Sequence, residues 1–191
     1  MYILFLWEYV KLYTNIFKRM KFMNLYIVIT IILVSVFTFI AWSQIFGAPW
    51  IPTPYKTVHM MLEMAGVRPG EVVYELGSGD GRVIIEAARS FGARAVGIEI
   101  DPTRYLWTKI KISMLNLQDD VQVLFGNFFL KDLRHANVVM VYLLQGTNVK
   151  LMEKLENELR PGTRVVSNTF IFPGWKIIRQ DSKAQIYVYR V

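Results

Sequence analysis

The hydrophobic pattern of this chain changes character once, near Gly47. Before it, apolar residues run almost without interruption. From Phe22 to Tyr55 no residue is charged, and Leu25 to Phe46 reads "LYIVITIILVSVFTFIAWSQIF". As a helix rising ~1.5 Å per residue, these 22 residues span about 33 Å. That matches a hydrocarbon core of about 30 Å. Tyr26 and Trp42 stand near the two ends, where aromatic belts sit. The stretch predicts a transmembrane helix over about 24–46; a signal peptide has a shorter apolar core and a small-residue cleavage site. Residues 1–17, "MYILFLWEYVKLYTNIF", are also apolar, with Glu8, Lys11 and Asn15 on one helical face. This is the pattern of a helix lying in the membrane interface, or of a poor first span.

After Gly47 the pattern breaks and then alternates. Three prolines in "GAPWIPTPYK", Gly47 to Lys56, block a helix and favour extended backbone, predicting a hinge. Thr57 to Ala65 reads as a short helix closed by Gly66, so residues 47–66 form hinge and short helix. Over 67–191, short apolar runs alternate with amphipathic stretches. Strands are predicted near 71–76, 94–100, 121–125, 136–144, 163–170, 175–180 and 184–190. Helices are predicted near 80–91, 102–116 and 147–159, with a turn at 128–134. Such alternation points to an α/β domain with a mostly parallel sheet covered by helices on both faces. The last two strands are separated only by Asp181 to Lys183, a gap that permits only an antiparallel hairpin. Between strands five and six only "IFPG" intervenes, which leaves no room for a helix and one edge of the sheet lightly covered.

Composition narrows the function classes. The net charge is +7, and residues 1–21 account for a surplus of three, with Lys11, Lys18, Arg19 and Lys21 against Glu8. The remainder carries no Lys/Arg block, so dedicated nucleic-acid binding is not indicated. Cysteine is absent and only His59 and His135 are histidines, so disulfides, a cysteine nucleophile and a thiolate or histidine-rich metal site are not expected. Neither histidine makes a catalytic case.

The chemistry concentrates in "VVYELGSGDGRVIIEAA", Val72 to Ala88. A strand runs into a glycine-rich turn and a helix, the place where doubly wound sheets bind ligands. A phosphate-binding P-loop needs G-x-x-x-x-G-K-[ST], and Gly81 is followed by Arg82 and Val83. A dinucleotide fingerprint needs a third glycine where Arg82 stands. Asp80, at the helix start, would repel a pyrophosphate. S-adenosylmethionine reverses that objection, because its sulfonium and amino group are cationic. Glu75 and Asp80 can face that portion, and the glycines let the backbone approach closely. Glu99 ends the next strand and can accept both ribose hydroxyls. After the third strand comes "FGNFF", where Asn127 can meet the adenine edge and Phe128 can cover its face. Taken singly, Glu99 reads equally well as a solvated carboxylate and Asn127 as a turn residue; the set carries the reading.

The stretch resembles motif I of the class I S-adenosylmethionine-dependent methyltransferases. The resemblance covers roughly Ala48 to Trp175, through "PWIPTPYKTVHMMLEMAGVRPGEVVYELGSGDGRVIIEAA", "AVGIEID", "VVMVYLL", "KLENELRPGTRVVSNTF" and "PGW". These segments look like a lysine methyltransferase family that includes archaeal protein-lysine enzymes and membrane-anchored mitochondrial enzymes acting on the c-type subunits of the ATP synthase and on the adenine nucleotide translocase. The family often has proline after "YLL"; here Gln145 follows, which leaves acceptor assignments there open.

The resemblance implies a Rossmann-like domain over 67–191 that binds S-adenosyl-L-methionine. Its cofactor set would be Pro52, Tyr55, Glu75, Gly77, Ser78, Gly79, Asp80, Gly81, Glu99, Ile100, Asn127 and Phe128, with Pro52, Thr53 and Tyr55 folding over the ligand. Tyr142 and Asn168, with Phe170, would stand on the acceptor side, while Trp175 would serve packing. An Asn-Pro-Pro-Tyr motif, used on planar nitrogens, is absent, which disfavours adenine and glutamine as acceptors.

The expected partner is therefore a protein lysine side chain, membrane proteins included, with the bilayer contacted through the N-terminal helix. A methyltransferase for a small molecule or lipid, and a non-catalytic cofactor-binding adaptor, are the competing readings. The positive-inside rule applied to a single span would put the domain outside. The cofactor's supply requires it to face the cytoplasm, or the mitochondrial matrix, so residues 2–17 would help reverse the orientation or the charge bias would be overridden.

Overall fold

The computed structural model describes residues 23–38 and 51–191. They belong to two compact units, Met1–Ile45 and Phe46–Val191. In the first, residues 23–38 are helical (α1) and their apolar side chains are exposed. Thr30 and Thr38 turn their hydroxyls back onto the carbonyls of Tyr26 and Ser35, at 2.8 and 3.0 Å, so both hydroxyls are satisfied within the helix. Among the described residues no helix is long and apolar enough to cross a membrane. The predicted span over 24–46 lies only partly within them. The predicted interfacial helix over 1–17 and the hinge residues 47–50 lie outside them.

The second unit is an α/β domain around a seven-stranded sheet. The elements run α2 (Tyr55–Ala65), β1 (Val72–Leu76), α3 (Arg82–Phe91), β2 (Arg94–Glu99), α4 (Pro102–Met114), β3 (Val121–Phe125), a 3-10 turn (Phe128–Leu130), β4 (Val138–Val141), α5 (Gln145–Glu158), β5 (Arg164–Asn168), β6 (Ile177–Asp181) and β7 (Ile186–Arg190). The strand order is β3-β2-β1-β4-β5-β7-β6. β1 to β5 pair in parallel, and β7 enters antiparallel between β5 and β6. The expected final hairpin forms, and residues 169–176, between β5 and β6, hold no helix. β6 forms an edge that is exposed over most of its length.

Alternation along the strands feeds two cores. Val73, Val138, Met140 and Val166 pack with α2 and α3 through Val58, Leu62, Ile84 and Ala87. Tyr74, Leu76, Val139, Val141 and Val165 pack on the other face against Leu151, Leu155 and Leu159. Leu151 and Leu155 lie one turn apart on the same stripe of α5, and Leu159 follows as its cap. Local chemistry fixes the helix ends: Gly66 and Gly92 close α2 and α3 in the left-handed conformation. Asp101 caps α4 by accepting from the N–H of Thr103 and Arg104, with Pro102 in the first turn.

Several boundaries differ from expectation, and three of them shape the cleft. α2 starts at Tyr55 rather than Thr57, because Pro54 precedes the first turn, where a proline needs no donor. β4 ends at Val141 and β5 at Asn168. Beyond those points the apolar pattern continues, but residues 142–144 and 169–171 leave the sheet.

Candidate active site

A cleft of about 390 Å³ opens beyond the carboxyl ends of β1, β2, β4 and β5, the binding position of an open α/β sheet. Its size is that of a small-ligand pocket. Of the residues singled out from the sequence, Pro52, Glu75, Gly77, Ser78, Gly79, Asp80, Glu99, Ile100, Phe128 and Tyr142 line it, as do Thr53 and Phe170.

The glycine turn is shaped from beneath. Gly77, Gly79 and Gly81 all have positive φ, at 80°, 54° and 76°. At Gly81 an added Cβ would also lie 2.5 Å from Cγ2 of Thr108, so backbone geometry and packing both demand glycine there. Thr108, on α4, donates its hydroxyl to the Gly79 carbonyl at 2.9 Å. Lys111, one turn further, donates to the Asp80 carbonyl at 2.7 Å.

The three carboxylates of the cleft have different fates. Glu75 stands at the end of β1 with Oε2 shut off from solvent and without a hydrogen-bond partner. Burial, reinforced by the negative charges of Asp80 and Glu99, holds its pKa well above the ordinary carboxylate range. Glu99 is 4% exposed. It accepts from the N–H of Gly79 at 2.7 Å and of Asp101 at 2.8 Å. Burial raises its pKa against the pull of those two donors. Asp80 is already paired. Arg82 donates Nε to Oδ1 at 2.8 Å and Nη2 to Oδ2 at 3.0 Å, and Lys111 lies 3.3 Å from Oδ2. Burial would raise the Asp80 pKa, but these cations outweigh it and leave the carboxyl below its ordinary value. The expectation that Glu75 and Asp80 together face a cationic ligand is thus narrowed to Glu75, because Asp80 is neutralised by side chains of the protein.

Arg82 is the residue that sequence reasoning passed over. Besides Asp80, it donates Nη1 to the Thr53 carbonyl at 2.6 Å and lies 5.1 Å from the Tyr55 ring centroid. One guanidinium ties the hinge to the glycine turn. Its place, where a dinucleotide fingerprint has glycine, was the available signal. Arg104, Leu143, Leu144, Thr147 and Thr169 also line the cleft; the two leucines and Thr169 fall within the segments that carry the family resemblance, and nothing in the sequence pattern marks Arg104 or Thr147.

Four expected residues do not line it. Tyr55 lies under Arg82. Gly81 caps α3. Asn127 uses its side-chain oxygen to accept from the Phe129 N–H at 3.0 Å, the turn role it suggests when read alone. Asn168 is buried, its Oδ1 accepting from the Thr169 hydroxyl at 3.0 Å. Trp175 packs, stacking on Phe172 at 4.8 Å and donating to Glu156 at 2.7 Å.

Tyr142 and Phe170 both line the cleft, and the loop that carries Phe170 is held from α5. Gln145 donates Nε2 to the Ile171 carbonyl at 3.0 Å, and Asn148 donates Nδ2 to the Phe170 carbonyl at 3.1 Å. Within it Thr169 has φ 68°, a left-handed conformation that costs a β-branched residue of order 1–3 kcal/mol.

The donor set fits S-adenosylmethionine. The unpartnered Glu75 oxygen lacks a donor, and an ammonium next to a sulfonium supplies one together with positive charge. Ile100 and Phe128 give apolar surface for an aromatic base, and Glu99 retains acceptor capacity for ribose hydroxyls.

Relatives support this assignment. The sequence signature described as the ANTKMT methyltransferase domain matches residues 75–179. The chain is 45% identical over 134 residues to a protein-lysine N-methyltransferase of Saccharolobus islandicus (strain REY15A), covering 70% of this chain and 83% of that one. It is 31% identical over 133 residues to the human lysine N-methyltransferase of the ATP synthase c-type subunits, covering 66% of this chain and 54% of that protein, so it spans about half the length of that relative. Among solved structures, an RNA methyltransferase from Salinibacter ruber in complex with S-adenosyl-L-homocysteine superposes with a TM-score of 0.72 at 41% identity, covering 74% of this chain and 94% of that one. With this cleft at the switch point of this sheet, the chain belongs to the ANTKMT methyltransferase domain family and is an S-adenosylmethionine-dependent methyltransferase.

Proposed function

We propose that the chain methylates lysine side chains of proteins, membrane proteins among them, and that its apolar N-terminal segment holds it at a bilayer. The catalytic domain then faces the cytoplasm, or the matrix in a mitochondrion, where the cofactor is made available. The observation that carries the lysine reading is the 45% identity to an archaeal protein-lysine N-methyltransferase over most of that protein's length. The membrane reading rests on the uncharged stretch Phe22 to Tyr55.

S-adenosylmethionine supplies an electrophilic methyl group when bound. In this reading Glu75 holds the ammonium end, Glu99 orients the ribose, and Arg82 keeps Pro52 and Thr53 over the cleft. The acceptor nitrogen must arrive without its extra proton, whereas a free lysine holds that proton up to a pKa of about 10.4. Leu143, Leu144 and Phe170 line the cleft and exclude water around the amine, which favours its neutral form. The Tyr142 hydroxyl orients the nitrogen lone pair, and the released proton leaves through water. Alignment of this kind supplies much of the acceleration in a displacement reaction.

A second reading has a specific observation behind it: the Salinibacter relative is described as an RNA methyltransferase. Incubating a membrane extract with the protein and methyl-labelled cofactor separates the possibilities. Lysine methylation predicts label removed by protease. Label removed by ribonuclease, or extracted with lipid, would replace the proposal.

A further inference from the structure

A second depression, of about 330 Å³, lies at the opposite end of the sheet. Its walls come from the segments that precede β1, β4 and β5 and from the end of the antiparallel β7. They bring together Arg68, Arg160, Arg164 and Arg190, with Asn137 and one acid, Glu71. These arginines are scattered over more than a hundred residues of sequence, so no basic run announces them. Five-residue strands separate the depression from the methyl-transfer cleft by about 16 Å at ~3.3 Å per residue.

The charges are unevenly satisfied. Arg164 is consumed: Nη2 donates to Glu71 at 2.6 Å, and Nη1 donates to the carbonyls of Ala65 and Gly66 at 2.8 Å each. The second oxygen of Glu71 accepts from the backbone N–H of Arg68 at 2.9 Å. The acid in the wall is therefore fully engaged. Among the described residues, the guanidinium groups of Arg68, Arg160 and Arg190 make no hydrogen bond or side-chain ion pair. The Asn137 side-chain oxygen is taken by the Val72 N–H at 2.8 Å, which leaves its amide hydrogens as donors. The terminal residue, Val191, accepts from the Gly162 N–H at 2.5 Å. Four arginines against one glutamate, three of them with guanidinium groups that hold no hydrogen-bonded partner, and an amide donor thus border one concavity and give it a surplus of positive charge. Guanidinium groups pair with tetrahedral oxyanions in bidentate fashion.

We propose that this depression is a binding site for a phosphate group, carried either by an acidic lipid headgroup or by a free phosphate ion. It is independent of the acceptor assigned above, since it shares no residue with the cleft.

The test uses the full chain in detergent. Binding of inorganic phosphate is followed by 31P NMR at constant ionic strength. Short-chain phosphatidic acid and short-chain phosphatidylcholine are compared in parallel. The proposal expects phosphate or phosphatidic acid to bind the native chain and to bind the Arg160→Gln/Arg190→Gln variant at least tenfold more weakly. Affinity for S-adenosyl-L-homocysteine should be unchanged, which serves as the check on folding. The single Arg160→Gln variant, at an exposed position after α5, should weaken binding severalfold. Phosphatidic acid binding tenfold tighter than phosphate assigns the site to a lipid headgroup, and equal binding assigns it to the free ion. No binding of either, or binding equal in native and doubly substituted chains, overturns the proposal.

Discussion

Replacing Glu75 by glutamine should move two properties in opposite directions. In the ligand-free protein the buried Glu75 carboxyl has a raised pKa, from burial first and from Asp80 and Glu99 second. An unfolded glutamate titrates near pH ~4.3. Between that pH and the folded value, the folded chain holds a proton that the unfolded chain has lost. Stability from this group is therefore full below pH ~4.3 and falls as pH rises through the window. Glutamine removes that loss, so the variant should equal or exceed the native chain in stability at neutral pH. Cofactor affinity should behave oppositely. Only the ionised carboxylate pairs with an ammonium, so native affinity rises with pH through the same window and binding releases a proton. Hydrogen bonds to charged groups contribute ~1.5–3 kcal/mol, which sets the loss in Glu75→Gln at about ten- to hundredfold in Kd. Glu99, also raised, contributes a slope of the same sign that persists in the variant, so the difference between the two proteins isolates Glu75. Thermal unfolding against pH, with calorimetric titration of S-adenosyl-L-methionine in buffers of different ionisation enthalpy, measures both. Unchanged affinity in the variant, or identical pH profiles, would refute the reasoning.

Three further substitutions follow from the geometry. Gly81→Ala meets a φ of 76° and a Cβ position 2.5 Å from Thr108; unfolding should show a loss of about 1–3 kcal/mol, with weaker cofactor binding. Arg82→Leu removes the contacts to Asp80, Thr53 and Tyr55 together. It should destabilise the half-buried cluster by about 1–3 kcal/mol and make the segment around residues 51–55 more susceptible to limited proteolysis. Thr169→Gly relieves a left-handed φ of 68° and should leave stability unchanged or raise it by up to about 1 kcal/mol. Steady-state kinetics should show a lower kcat/KM for the acceptor at unaltered cofactor affinity.

Much of the fold was legible because the pattern is local. Period-two strands alternating with amphipathic helices define the parallel sheet, and the three-residue gap after Gln180 leaves only a hairpin. The glycine turn and Glu99 could be placed because each lies where a strand ends. What escaped depends on distant pairings. Asp80 looks like a ligand for a cation until Lys111, 31 residues away in sequence, is seen to occupy it. β4 and β5 read as longer strands because Tyr142 to Leu144 and Thr169 to Ile171 are apolar or β-branched, yet these segments leave the sheet to wall the cleft. Asn127 suits an adenine edge and a turn cap equally in sequence, and the cap is the contact that forms. The arginine depression was invisible for the same reason, since only the sheet brings residues 68, 160 and 190 together.

Methyl transfer to protein lysine from this cleft is decided by mass spectrometry of methylated lysines in membranes incubated with cofactor held near the native Kd and either the native chain or Glu75→Gln. New methyl-lysine is expected on discrete membrane proteins with the native chain, and at least severalfold less with the variant at that cofactor concentration. Native chain that consumes the cofactor while leaving every lysine unmodified, or a variant that methylates lysine as well as the native chain does, would contradict it.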